Sequence, residues 1–359
     1  MAKRNRAGKK RNQEDEFEQK LNVLDRSFDS VENDADLDDL DREVNDIESK
    51  LRQLPQELAK LRKRGYAHAG HLEGQLKNLD QQWGRVKRDV RRLIQDGRDD
   101  LADGLDEADE ALERADRGRR TRNLEDAEEV LNDLKREVSR IKSDIRGRYS
   151  DIRSELSNVG SRLAHLDWIL DNLVESGIKL YDLEGPIAAV EAEWQRDGKE
   201  GPDGILYLTD QRLIFEQKEK VAKKKFLGIF TTESETLQGI LIEEQVRHIE
   251  EVAHSEEGGF LGFGKDDILE LVFTPEATLT RARFHIDGQE SADWAQWIKQ
   301  VQDGVFDQRR AEQHALPEEE LVAKKFPANC PNCMASVPPQ PRGVNSVVCE
   351  FCNGTINAE

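Results

Sequence analysis

Four cysteines are the residues whose type and spacing most plainly allow chemistry. They read Cys330-Pro-Asn-Cys333 and Cys349-Glu-Phe-Cys352, with fifteen residues between the pairs. Each C-x-x-C step brings two thiols onto one tight turn. Two such turns supply four thiolates, a set that closes a tetrahedral zinc site and leaves no position open for substrate. One structural Zn2+ is therefore expected, folding a segment of about thirty residues that is too short to hold a core of its own. Four thiolates would also hold iron, and a C-x-x-C pair by itself can do redox chemistry; zinc is the reading that the paired spacing favours.

Two further stretches carry side chains suited to binding. In KEKVAKKKF, Lys218, Lys220, Lys223, Lys224 and Lys225 stand within eight residues, with Glu219 the one acid among them. A basic rim of this kind could meet an anionic lipid headgroup, or it could protect a sheet edge from aggregation. In EEGGFLGFGKDD, residues 256–267, Phe260, Leu261 and Phe263 lie among glycines. That loop could dip into a bilayer interface or dock on a partner, or its rings could fold back as a cap.

Catalysis leaves no comparable trace. The chain has no phosphate-binding loop, nucleophile elbow, H-E-x-x-H or dinucleotide fingerprint. Its seven histidines are scattered, and His68 and His71, three apart, have no carboxylates at ligand spacing. A non-enzymatic protein is expected.

Composition sets the frame. The 359 residues carry 74 acids against 54 bases, a formal charge of −20. A surface this acidic argues against general nucleic-acid binding, which needs clustered Lys and Arg. Charged residues make up 36%, above the usual ~25%, and aromatics only 6%. That suits long helices with narrow apolar seams beside small folded domains. No run of about 18 apolar residues is present. With the cysteines placed as a metal site and not as a disulfide framework, a cytoplasmic protein is expected, peripheral to the membrane where it docks there.

The elements that position these residues follow from periodicity. Residues 1–12 hold six Lys or Arg and no acid and read as a disordered basic tail. Residues 13–177 read as a coiled-coil helical arm. Leu37, Leu40, Val44, Ile47, Leu51, Leu54, Leu58 and Leu61 alternate intervals of three and four, and similar seams run from Leu72 to Leu93 and from Leu124 to Leu173. Gly65, Gly70, Gly97 and Gly118 mark turns, and 123–176 reads as one rod, with a stutter at Ile141, Ile145 and Tyr149 that should unwind the supercoil. Residues 13–60 carry sixteen acids and six bases, and 61–98 ten bases and four acids. The two stretches should pair as an antiparallel hairpin. A single seam does not say whether helices pair within or between chains, and self-association through the coiled coil is expected.

From residue 178 the heptads give way to strand-like runs at 187–195, 204–209, 212–218, 225–232, 237–246, 268–274 and 280–286. A helix follows over 291–301, with Ser291 as cap and Trp294, Trp297, Ile298 and Val301 as an apolar stripe. The run DGILYLTDQRLIFEQ (203–217) and the terminal SADWAQWIKQV (291–301) resemble a GRAM or pleckstrin-homology (PH)-like domain over about 183–303. That resemblance implies an antiparallel β-barrel plugged by its C-terminal helix, and a ligand that is a phosphoinositide, another anionic lipid, a peptide or none. Residues 304–328 read as a polar linker. Residues 329–357 resemble a zinc ribbon, with one departure. Gly commonly follows each knuckle directly, and here Met334 and Asn353 stand there.

The expected fold is thus multidomain α + β: a helical-hairpin arm, a PH-like barrel and a small four-cysteine ribbon. The expected function is a scaffold or adaptor that self-associates and docks on anionic membrane or on an unknown protein partner. The alternative is a nucleic-acid-associated or regulatory-subunit protein using the ribbon and the basic tail. Between Cys333 and Cys349 the one charged residue is Arg342 and no aromatic is present to stack on bases, which weighs against nucleic acid.

Overall fold

The computed structural model describes residues 2–181, 183–196, 198, 200–222, 234–260, 263–314, 326–337, 340 and 346–358. They form two compact units, Met1–Gln56 with Gly74–Ser161, and Glu57–Glu73 with Arg162–Glu359.

Five helices precede the sheet: α1 (Ala2–Ala35), α2 (Asp38–Lys63), α3 (Leu72–Gly118), α4 (Thr121–Arg146) and α5 (Ser150–Ser176). In the first unit they pack within the one chain. Leu40, Val44, Ile47, Leu51 and Leu54 of the first seam are all buried, as are Leu76, Leu79, Trp83 and Val90 of the second. Leu131, Leu134, Val138 and Ile145 of the third are buried too. Ion pairs show the directions. Glu48 meets Lys87 at 2.8 Å and Arg91 at 3.0 Å, while Asp38 meets Arg98 at 3.3 Å, so α2 and α3 run antiparallel as the charge pattern predicts. Lys142 meets Asp34 at 2.7 Å and Asp39 at 3.2 Å, and Arg153 meets Glu43 at 2.9 Å, so the third strand of the bundle runs parallel to the first. Such surface pairs add little stability singly, but they fix register.

Three expectations about the helices change. Residues 2–12 are the first turns of α1 and not an unstructured tail; apart from Gly8, the stretch contains no helix breaker. Gly97 is not a turn, because α3 runs straight through it. A Cβ there would lie 2.9 Å from Ile141 Cγ2 and 3.1 Å from Leu37 Cδ1, so the glycine lets neighbouring helices approach. The rod over 123–176 is broken at 147–149. Arg148 N–H and Tyr149 N–H bond three residues back, to Ile145 and Arg146, both at 3.0 Å. This tightened turn falls where the seam stutters.

The second unit holds a seven-stranded antiparallel sheet in the order β4-β3-β2-β1-β7-β6-β5. Its strands are β1 (Pro186–Trp194), β2 (Asp203–Thr209), β3 (Arg212–Ala222), β4 (Ser234–Gln245), β5 (Ile249–Phe260), β6 (Phe263–Phe273) and β7 (Arg281–Ile286). The barrel is not closed: among the described residues no ladder joins β4 to β5. A 3-10 turn, Val246–His248, diverts the chain at that corner, and α6 (Ser291–Gln302) fills it. Gln302 Nε2 donates to Val246 O at 3.2 Å and Ile249 O at 2.7 Å. Trp294 and Ile298 of α6 are fully buried against Leu206, Leu208, Phe215 and Phe284.

Here too some expectations move. The strand expected at 225–232 falls largely outside the described residues. Within the stretch expected to be a loop, residues 256–260 and 263–267 are the facing ends of β5 and β6, with Phe260 opposite Phe263, while residues 261 and 262 lie outside the described residues. Ser291 does not cap α6. Its N–H and Oγ donate instead to Asp267 Oδ1, at 3.1 and 3.0 Å, and that carboxylate sits at the positive end of the helix. Residues 304–314 are no linker. They form α7 (Val305–Gln308) and a 3-10 turn, and Ala311 is buried. Beyond them β8 (Ser346–Val348) pairs with β9 (Thr355–Asn357) in the cysteine segment. Among the described residues no helix is long and apolar enough to cross a membrane.

Candidate functional site

The four cysteines converge. All four Sγ atoms lie within 4.8 Å of one another, with Cys330 3.7 Å from Cys352 and Cys333 3.5 Å from Cys349. Each pair sits on a knuckle closed the same way. Met334 N–H bonds Cys330 O and Asn353 N–H bonds Cys349 O, both at 2.9 Å. The return bonds, Cys330 N–H to Ala335 O at 2.7 Å and Cys349 N–H to Gly354 O at 2.9 Å, complete the pseudo-symmetry. This backbone forces the residue after each second cysteine into the left-handed region, φ 61° at Met334 and 55° at Asn353. Glycine is common at those positions because it has no Cβ to clash there. The departure seen in the sequence is therefore a local strain within an otherwise complete pair of knuckles.

Backbone donors aim at the sulfurs. The N–H groups of Cys352 and Phe351 pull the Cys349 thiol down to about 7, against the burial that opposes ionisation. At Cys333 the Ala335 N–H acts in the same direction, but burial and the neighbouring thiols outweigh it and push that thiol up to about 12. The segment's own core is small: Cys330, Cys349 and Ile356 are buried, with Phe326, Ala335, Val337 and Val347 packed beside them. Four thiols so placed could hold a metal ion.

The lysine cluster is only partly described. Lys218 is committed within the chain. Its Nζ donates to Asn172 Oδ1 at 3.0 Å and pairs with Glu175 at 2.9 Å, which fixes the last turns of α5 over the outer face of the sheet. Lys220 lies in β3 with its backbone opposite Thr236. Lys223, Lys224, Lys225 and Leu261 lie outside the described residues, as do the side chains of Lys220, Phe260 and Phe263. Beyond the last β2 partner, Gly204 opposite Gln217, β3 and β4 continue as a two-stranded ribbon from Lys218 opposite Gln238 to Ala222 opposite Ser234.

Sequence reasoning missed a buried polar hub at the other end of the same meander. Thr209, Asp210 and Arg212, in the β2–β3 turn, are all buried. Arg212 grips Glu184 with two hydrogen bonds, Nε to Oε1 at 2.9 Å and Nη2 to Oε2 at 2.6 Å, and stacks 4.0 Å above the Tyr181 ring. Thr209 Oγ1 donates to Glu184 Oε1 at 2.6 Å and accepts the Arg212 N–H at 2.7 Å. Asp210 accepts the Gly185 N–H at 3.1 Å and pairs with Arg310 and with His68, whose Nε2 is 3.3 Å away. The signal was present as the T-D-x-R step of the 203–217 run. On the outer face Glu216 is buried and accepts from Tyr207 Oη at 2.9 Å and from Gln238 at 2.7 Å. Burial, with the Glu216 charge and hydrogen bond, pushes the Tyr207 hydroxyl far above its ordinary range.

No protein-family model matches the chain, and comparison with curated proteins finds none similar. Among solved structures it is similar to the DH/PH domains of p115-RhoGEF, at 11% identity over 76% of this chain and 98% of that one. The TM-score is 0.22, too low to carry an argument about fold or function.

Proposed function

We propose that this chain is a non-enzymatic adaptor whose PH-like sheet docks on anionic membrane surfaces through the β3–β4 hairpin, while a zinc ribbon offers a second docking module. The observation that carries the reading is the two-stranded ribbon from Lys218–Ala222 and Ser234–Gln238. It extends past β2 and leads directly into the Lys223-Lys224-Lys225 run. Clustered lysines near an anionic leaflet each contribute about 1 kcal/mol. Salt-sensitive binding to anionic vesicles is the test.

Zinc is the metal that the cysteine geometry favours. Thiolates about 2.3 Å from a tetrahedral zinc stand roughly 3.8 Å apart, close to the 3.5 and 3.7 Å found here. With all four positions held by protein, the ion's contribution is to fold the segment. The heptad seams are buried inside one chain, so the helices serve first as an intrachain scaffold. Self-association, expected from the heptads, comes second to that role and is decided by light scattering.

A second reading gives the ribbon the leading part, as the module by which a regulatory subunit recruits a protein. Met334, Val348 and Phe351, each beside a metal-site cysteine, are 71, 62 and 78% exposed. Among the described ribbon residues the one charged side chain is Glu350, which suits an apolar protein partner better than nucleic acid.

A further inference from the structure

The bases and acids of α1 are sorted along its length. Lys3, Arg4, Arg6, Lys9, Lys10 and Arg11 precede every acid of the helix, and Glu14, Asp15, Glu16 and Glu18 follow at once. Around Asn12 and Gln13 the sequence is self-complementary in charge, with Lys-Lys-Arg on one side and Glu-Asp-Glu on the other.

Contacts within the first unit show where this stretch lies. α1 runs parallel to α4: Glu18 pairs with Arg119, and Asp34 with Lys142 at 2.7 Å. The Arg119 guanidinium lies 5.8 Å from the centre of the Phe17 ring, so the α3–α4 turn stands beside Phe17. The bundle core ends at the same level, with Leu21, Leu112, Ala115 and Leu124 buried and Phe17 packed against them. α1 nevertheless begins at Ala2. Residues 2–16 therefore carry the helix about 22 Å past that turn, at 1.5 Å per residue.

An overhang of this kind is poorly matched to water alone. Most helical stability in proteins comes from tertiary packing. Its six bases also stand toward the positive end of the helix macrodipole, with no acid in the first turn to offset them. Cover by a surface that carries carboxylates removes both penalties.

Such a surface adjoins it. α1 and α4 border a groove of about 540 Å³, lined by Val23, Leu24 and Leu124 and by Glu16, Glu125 and Glu128. Val23 is 63% exposed. Among the described residues these three glutamates have no ion-pair partner. The overhang cannot fold back into the groove of its own chain, because α1 is one unbroken helix from Ala2 to Ala35.

We propose that two copies of this chain associate end to end and antiparallel through α1, each laying its basic overhang along the α1–α4 groove of the other.

A two-fold axis between residues 12 and 13 sets the register. Residues 9–11 of one copy then run beside residues 14–16 of the other, and residues 2–9 beside residues 16–23, the α1 wall of the groove. The contact occurs twice, as an isologous interface requires. It turns a three-helix section into a four-helix one. Nucleic acid or an anionic leaflet fits less well, because the four acids at 14–18 repel phosphate. The heptad seams are buried within the chain and take no part, and the proposal is independent of membrane docking.

Sedimentation velocity of the full chain at tens of micromolar tests it. At about 50 mM salt the chain should sediment as two copies. The dissociation constant should rise at least about tenfold by about 500 mM, where the Debye length falls to roughly 4 Å. A Lys9→Glu, Lys10→Glu, Arg11→Glu variant should sediment as a single chain, as should Glu14→Lys, Asp15→Lys, Glu16→Lys. Both sets in one chain exchange the two runs, which restores complementarity in the antiparallel register alone, and the pair should return. Deleting residues 2–12 removes the overhang and leaves the core from Phe17 onward intact; that chain should be single at both salts. A single unmodified chain at low salt, association that the deletion or either reversal leaves unchanged, or an exchanged chain that stays single would overturn the proposal.

Discussion

Glu184 and Arg212 form a two-bonded ion pair, at 2.9 and 2.6 Å, with side chains only 0 and 5% exposed. The pair ties the chain just before β1 to the β2–β3 turn, and Thr209 and Tyr181 N–H supply further hydrogen bonds to the same carboxylate. Removing one partner strands the other charge in a dry site. Arg212→Ala or Glu184→Ala should therefore cost about 3–5 kcal/mol. Arg212→Lys should recover little, because a single ammonium cannot match the fork. Denaturant unfolding followed by tryptophan fluorescence, which reports Trp294 in the core, checks this.

Two glycines of α3 should respond oppositely to alanine. At Gly84 nothing lies within 4 Å of an added Cβ, so Gly84→Ala should stabilise the bundle by up to about 1 kcal/mol. At Gly97 the added methyl meets the branched Cγ2 of Ile141 at 2.9 Å. Overpacking costs of about 1–3 kcal/mol should outweigh the helix gain, leaving Gly97→Ala neutral to destabilising. Thermal melts of the two variants, followed by far-UV circular dichroism, read the difference.

At the cysteine knuckles, Met334→Gly should relieve the left-handed strain, worth about 1 kcal/mol, and raise metal affinity roughly fivefold. Asn353→Gly should change little, since Asn adopts this conformation readily. Competition for zinc against a chromophoric chelator measures both. A chelator in excess should unfold the cysteine segment while the sheet still melts cooperatively.

The bundle should be acid-sensitive in a defined direction. Burial at Glu48 disfavours its ionised form, but the Lys87 hydrogen bond and the Arg91, Lys87 and Arg52 charges outweigh it and hold the carboxyl below its usual range. At Asp39, Lys142 and Arg146 likewise outweigh burial. Carboxyls depressed in the folded state add stability above their unfolded values, near 4, and lose it as pH falls through the folded ones. Melting temperature should stay level down to about pH 5 and then fall, and Glu48→Gln should reduce the fall.

Much of this architecture was legible in the sequence where one interaction dominates locally. The two C-x-x-C steps give the four-cysteine cluster because the knuckle is a local structure, and the heptads give the helices because each seam is continuous. β5 was missed because it is an edge strand with Ile249 buried, Val252 half-buried and acids along much of the rest. Gly97 was misread because a glycine that permits close packing looks, in sequence, like one that makes a turn. The 304–314 segment passed for a linker because its anchors, Ala67, Gly70 and Asp210, are distant in the chain. The hub was hidden for the same reason: Glu184, Arg212 and Arg310 look like solvated charges until the fold brings them together.

The most direct test of the adaptor account is flotation of the full-length protein with neutral and with anionic vesicles at low and moderate salt, beside a Lys223→Glu, Lys224→Glu, Lys225→Glu variant. The account predicts flotation on anionic vesicles alone, weakened by salt and lost in the variant. Absence of flotation under every condition, or flotation that the variant retains, would contradict it.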